Sequence, residues 1–362
     1  MYHRMTHSLR VWLYVLTTMG VVGVGGWYLA THRPPAPPPF VSGRSDSSDV
    51  QRAYWESRVR VVGGAEAYQE FSRFARGNAT GVQHQLAHAF GEGLYTVEGE
   101  RGVSVCDSQF AYGCFHVMLG KAIAANGLAD SNKFDILCRN SLLKSPEACE
   151  HGIGHGAVAY LGYDEDALVR SLGACDTLNS PTSTLACYSG AFMEYNMHTM
   201  LADTSGPRRL VDNRLYAPCD MLSTKYQKSC AFGQPQWWMH GVYQAEVPDE
   251  GLYRKLGGLC DRIDSADATR FCYEGLGNIT PQVAGYSPAV SAMLCRASAV
   301  SKLHQLYCIS SAANVIGIDR TRADGRQTCA DLANVGRSYC LDYAENRANM
   351  FNMKSAPAPE NL

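Results

Sequence analysis

The chain contains fourteen cysteines, all beyond residue 100, and they fall into seven close couples: Cys106/Cys114, Cys138/Cys149, Cys175/Cys187, Cys219/Cys230, Cys260/Cys272, Cys295/Cys308 and Cys329/Cys340. No other feature restricts the fold as much. The second members of successive couples are 35, 38, 43, 42, 36 and 32 residues apart, the period range of stacked two-helix repeats. Each couple encloses seven to twelve residues, a poor spacing for a zinc knuckle, and the C-x-x-C of a c-type haem site does not occur. We therefore read structural disulfides between neighbours, although spacing by itself proves no connectivity. Fourteen paired cysteines suit an oxidising compartment, and a closed loop of this size contributes roughly 2 to 3 kcal/mol.

The segment before Cys175, "DEDALVRSLGAC", places Leu168, Leu172 and Cys175 three and four apart on one helical stripe. A first helix is expected to end at the first cysteine of each couple, and a second to start at the second. Turn formers such as Ser145 and Pro146, or Asn179, Ser180 and Pro181, fill the span between them. The predicted fold class is all-α: disulfide-stapled two-helix repeats in a solenoid or toroid-like stack, behind one N-terminal transmembrane helix.

Alignment on the second cysteine exposes further columns. Three residues on stand Gly152, Gly190, Gly233 and Gly275, small residues that let neighbouring helices approach closely. Two residues on stand His116, His151, Ser189, Phe232, Glu274, Ser310 and Asp342, and six residues on stand Gly120, His155, Met193, Gln236, Asn278, Asn314 and Asn346. The last two columns lie four apart, on one helical face. Upstream, "HQLAHAFGEG" aligns His84 with His151 and His88 with His155 without a cysteine, which makes eight copies. The repeat plan resembles that of cysteine-rich, disulfide-stapled helical solenoids, and that resemblance implies no function.

Five of the eight histidines beyond residue 50 occupy these two columns: His84, His88, His116, His151 and His155. Imidazole-rich sets of this kind suit Zn, Cu or Fe, and carboxylates often complete them. Glu92, four after His88, and Glu194, seven after Cys187, are the candidate carboxylates, as ligand or general base. The competing reading is a buried polar network in which the histidines satisfy one another and the amides of Gln236, Asn278, Asn314 and Asn346. Other motifs fail: Gln85 and Gly152 stand where the H-E-x-x-H general base of a zinc protease belongs, "GIGHG" lacks a P-loop lysine, and no G-x-S-x-G occurs. Trp237 and Trp238 read as core more readily than as pocket lining.

Residues 11–30, "VWLYVLTTMGVVGVGGWYLA", are long and apolar enough to cross a bilayer. Tyr28 stands where a cleavage site needs a small residue, which favours an uncleaved signal-anchor over a removed signal sequence. The expected organisation is a cytoplasmic segment 1–10, an anchor 11–30, a Pro/Ser-rich tether 31–50, an extracytoplasmic repeat domain 51–350, periplasmic or extracellular, and a disordered tail 351–362. A formal charge of −2 with no basic run argues against nucleic acid as a partner. The expected function is that of a membrane-anchored metalloprotein, with metal-dependent catalysis within its reach. The alternative is a non-enzymatic envelope scaffold that binds a protein or peptide on its concave face.

Overall fold

A computed structural model describes residues 48–360 except 79, 108, 141–145, 201–213, 244, 350–353 and 359. The segments expected at 1–10, 11–30 and most of 31–50 lie outside the described residues, and no helix among those described is long and apolar enough to cross a membrane.

The described residues form fifteen α-helices, short 3₁₀ segments and one π turn, with no strand. Helices α1 (Ser48–Val62) and α2 (Gly64–Ala75) close the N-terminal end against α3 (Thr80–Glu98). From there an inner row runs through α3, α4 (Gly113–Asn126), α6 (Pro146–Leu161), α8 (Pro181–Met200), α9 (Thr224–Trp237), α11 (Ala266–Val283), α13 (Lys302–Asp319) and α15 (Asn334–Ala344), each packed on the one before. Behind it stand shorter helices: α5 (Ser131–Asn140), α7 (Glu165–Cys175), α10 (Glu250–Cys260), α12 (Pro288–Ala297) and α14 (Arg322–Thr328). The core between the rows forms two blocks that meet at Cys230 and Ala231 of α9. Trp237 and Trp238 are buried there as core residues, and the Trp238 indole donates to the Leu215 carbonyl at 2.7 Å.

All seven cysteine couples are bonded as neighbours: Cys106–Cys114, Cys138–Cys149, Cys175–Cys187, Cys219–Cys230, Cys260–Cys272, Cys295–Cys308 and Cys329–Cys340, with Cα–Cα distances of 5.4 to 5.8 Å. The helices around them correct the expectation in two ways. First, no inner helix starts at its cysteine. Cys114 lies one residue inside α4 and Cys149 three residues inside α6, while Cys187, Cys230, Cys272, Cys308 and Cys340 each lie six residues inside α8, α9, α11, α13 and α15. The turn formers act as helix starts instead: Ser265 and Ser301 accept backbone hydrogen bonds at the heads of α11 and α13, and Pro146 and Pro181 open α6 and α8 where no backbone donor is needed. Second, the outer ends are less uniform than expected. Cys175 and Cys260 do end α7 and α10, Cys138 and Cys295 stand two residues before the ends of α5 and α12, and Cys329 follows α14. Cys106 and Cys219 instead follow or open 3₁₀ segments, Gly99–Val105 and Cys219–Met221. Gly99, at φ 59°, ends α3 and leaves a seven-residue span weakened by two glycines, while Pro218 removes a donor ahead of Cys219.

The glycine column works through close approach. A Cβ on Gly190 would collide with the His151 carbonyl, and one on Gly154 with the Cys187 carbonyl, so α6 and α8 meet backbone to backbone beside His151 and His155. Within the expected tail, the Lys354 carbonyl accepts from Arg270 at 3.1 Å, and Ala356 packs against the second core block.

Candidate metal centre

Three consecutive inner helices bring the five column histidines together. His84 and His88 stand one turn apart on α3, His116 on α4, and His151 and His155 one turn apart on α6. Ring centroids are 4.4 Å apart within the first pair and 4.8 Å within the last. His116 lies 5.3 and 5.8 Å from His84 and His88, and 5.6 and 3.9 Å from His151 and His155. Two triads, His84/His88/His116 and His116/His151/His155, each present three nitrogens within 4.8 Å of one another, a spacing that a metal ion can close. His116, His151 and His155 are buried, His84 and His88 half-buried.

The hydrogen bonds fix which nitrogens face inward. His84 Nδ1 donates to the Phe110 carbonyl at 2.9 Å, which leaves the lone pair of the neutral ring on Nε2. His155 Nδ1 donates to Glu194 Oε2 at 2.7 Å, and the other carboxylate oxygen, Oε1, accepts from the Tyr163 hydroxyl at 2.8 Å. His155 Nε2 then sits 3.0 Å from His151 Nε2. With its Nδ1 protonated, His155 accepts there from His151 Nε2–H, and the two nitrogens stand a little closer than the about 3.3 Å that separates two ligands on one tetrahedral ion.

Beside the cluster, Phe110 and Tyr112 hold left-handed backbone at φ 58° and 63°. For aromatic residues this is strained by about 1 to 3 kcal/mol each. Phe110 is locked there by packing edge-on against Phe71 at 5.1 Å, and that conformation aims its carbonyl at His84. Tyr112 faces His116 and His151 at 6.5 and 5.8 Å. Burial, with the Asp319 and Glu147 carboxylates, pushes its phenol up to about 12.

Burial sets the charge state of the cluster. It drives His116 well below the ordinary imidazole range, helped by His155 and His84, and does the same to His151, where His155 adds to it and the Ala186 backbone opposes it. His88 falls to about 3 through burial and then His84 and His155, against the pull of Glu194. These three rings are thus neutral, the form that ligates metal.

Of the two carboxylates singled out in the sequence, Glu194 joins the cluster and Glu92 does not. Glu92 pairs with Arg52 and Lys121, each at 3.4 Å. Tyr112, Tyr163 and the Phe110 carbonyl carry no sequence signal, since they belong to turns outside the aligned columns. Three of the amides expected to satisfy the histidines lie elsewhere: Asn314 donates to the Tyr343 carbonyl and to Asn346, and Asn278 is exposed. Meanwhile His88 Nε2 and both nitrogens of His116 are buried with no hydrogen-bond partner. No family model, curated protein or solved structure matches the chain.

Proposed function

We propose that this chain is an extracytoplasmic metalloprotein whose five clustered imidazoles bind a transition metal, Zn, Cu or Fe, and that residues 11–30 anchor it in a membrane. The observation that carries the reading is His116, whose two nitrogens are both buried and unpartnered among four other imidazoles. A neutral imidazole always bears one N–H, and leaving a buried donor unpaired costs about 1 to 3 kcal/mol. A metal ion engages the lone pair of at least one of the two nitrogens, whereas a polar network closed among these side chains leaves both without a partner. The seven disulfides support an oxidising compartment.

Glu194 acts in this reading through His155, as the acceptor that holds the ring's tautomer and orientation, rather than as a free general base. Tyr163 in turn holds Glu194. A bound Zn²⁺ would activate a water for hydrolysis, and Cu or Fe would carry redox chemistry.

The test is thermal melting of the full chain in detergent, disulfides intact, with chelator and then with added Zn²⁺, Cu²⁺ or Fe²⁺. A ligand that binds only the folded state raises the melting temperature. At least one ion is expected to raise it in the wild type and to do so far less in His116→Ala. Indifference of the wild type to all three ions would send the search to the alternative, an envelope protein or peptide held on the concave face.

A further inference from the structure

We infer that the centre holds two metal ions and that His116 bridges them, one ion on each ring nitrogen; this rests on the metal-binding reading above. The five imidazoles do not form one coordination set. They form two triads that share His116, and neither triad contains members of both outer pairs. His116 is the ring whose centroid lies within 6 Å of all four others.

The two nitrogens of an imidazole point their in-plane lone pairs away from each other, so a single ion can take only one. The second would stay buried and unpaired, as both are among protein atoms alone. An ion in each triad satisfies both. The first would be held by His84 Nε2, His88 and one nitrogen of His116, and the second by the other nitrogen of His116 with His151 and His155 Nε2; the His116 ring, stacked on His155 at 3.9 Å and 21° and held by no hydrogen bond, would turn about its Cβ–Cγ bond to bring that lone pair into line. As the second ion binds, the one N–H proton of His116 leaves to solvent and the ring becomes a bridging imidazolate.

Each triad also carries its own outer anchor. The Phe110 carbonyl pins His84 Nδ1 on one side, and the Glu194 carboxylate pins His155 Nδ1 on the other. Such partners orient metal-bound imidazoles, and one per triad is what two separate sites require. The repeats supply this symmetry: α3 and α6 both carry the paired histidines, and α4 between them carries the first-column histidine with Gly120 in place of the second. With three protein ligands per ion, each keeps an open position for water or a small ligand.

The experiment is a Co²⁺ titration of the full, detergent-solubilised chain with disulfides intact, read by elemental analysis and electron paramagnetic resonance. Two cobalt ions per chain are expected at saturation, and the signal per cobalt should fall between one and two equivalents as the ions couple through the imidazolate. The His84→Ala/His88→Ala variant should bind one ion with an undiminished signal. His116→Ala should abolish the coupling. One ion per wild-type chain, or two ions whose signals stay independent, would overturn the bridge while leaving a metal centre intact. No bound ion at all in folded chain would overturn both the bridge and the reading beneath it.

Discussion

His155 and Glu194, on the neighbouring inner helices α6 and α8, meet at 2.7 Å between Nδ1 and Oε2, next to the point where Gly190 lets the two backbones touch. The contact joins the packing of the stack to the chemistry of the centre. The carboxylate can hold the ring only where α8 lies this close to α6.

Replacing the carboxylate tests that link. Glu194→Gln should leave the fold intact and weaken metal binding by about 10- to 100-fold, the usual effect of losing an outer partner of a metal-bound histidine. Competition against a chelator of known affinity reads the change. Unaltered affinity would remove Glu194 from the account.

Glycine packing predicts opposite signs at two positions. Gly190→Ala drives a methyl into the His151 carbonyl and should destabilise by about 1 to 3 kcal/mol. Gly173→Ala, on the exposed side of α7 with nothing within 4 Å of the added carbon, should stabilise by about 0.4 to 1 kcal/mol. Urea midpoints of the two variants, measured under one set of conditions, read both shifts, and a Gly190→Ala midpoint equal to that of wild type would contradict the close approach.

The disulfides should act additively across distant repeats. Removing one clamp, as in Cys175→Ser/Cys187→Ser, is expected to cost about 2 to 3 kcal/mol in equilibrium unfolding. A neutral result would mean that helix packing alone fixes that corner.

Asp176 predicts a specific acid response. Its carboxylate follows α7 and accepts from Lys225 at 2.6 Å, from Tyr226 at 2.9 Å and from Tyr188, joining one repeat to the next. Burial works to raise its pKa, but Lys225, Tyr188 and Tyr226 outweigh burial and hold it below the ordinary 3.8. A depressed carboxylate stabilises the fold above its unfolded value and loses that contribution as pH falls through the folded one. The stability advantage of wild type over Asp176→Asn should therefore be full at pH 7 and shrink below about pH 4, as urea midpoints at pH 7 and pH 3 would read. An equal difference at both values would contradict the pairing.

Much of this was legible in the cysteines and the two columns, because local disulfides and a strict helical face both leave a period in the sequence. The seven pairings follow from that period, whereas the helix starts do not: Ser265 and Ser301, which cap, and Pro181, which opens a helix, look like loop residues in the sequence, so Cys272, Cys308 and Cys187 fall inside helices rather than at their heads. Glu92 belongs to the face of His88 by the four-residue step, but each such step drifts by about 40° around the helix, and Arg52 and Lys121 claim the carboxylate. The role of Glu194 depends on a neighbouring helix, which periodicity within α8 does not report. The strained turn at Phe110 and Tyr112 obeys no propensity at all, since tertiary packing forces it.

The most direct test of the metal centre is elemental analysis of the full chain, purified folded from an oxidising compartment and reloaded with metal, beside His151→Ala/His155→Ala. Stoichiometric Zn, Cu or Fe in the wild type and a marked loss in the folded variant is the predicted result. A folded wild type that retains no metal after loading would contradict the account.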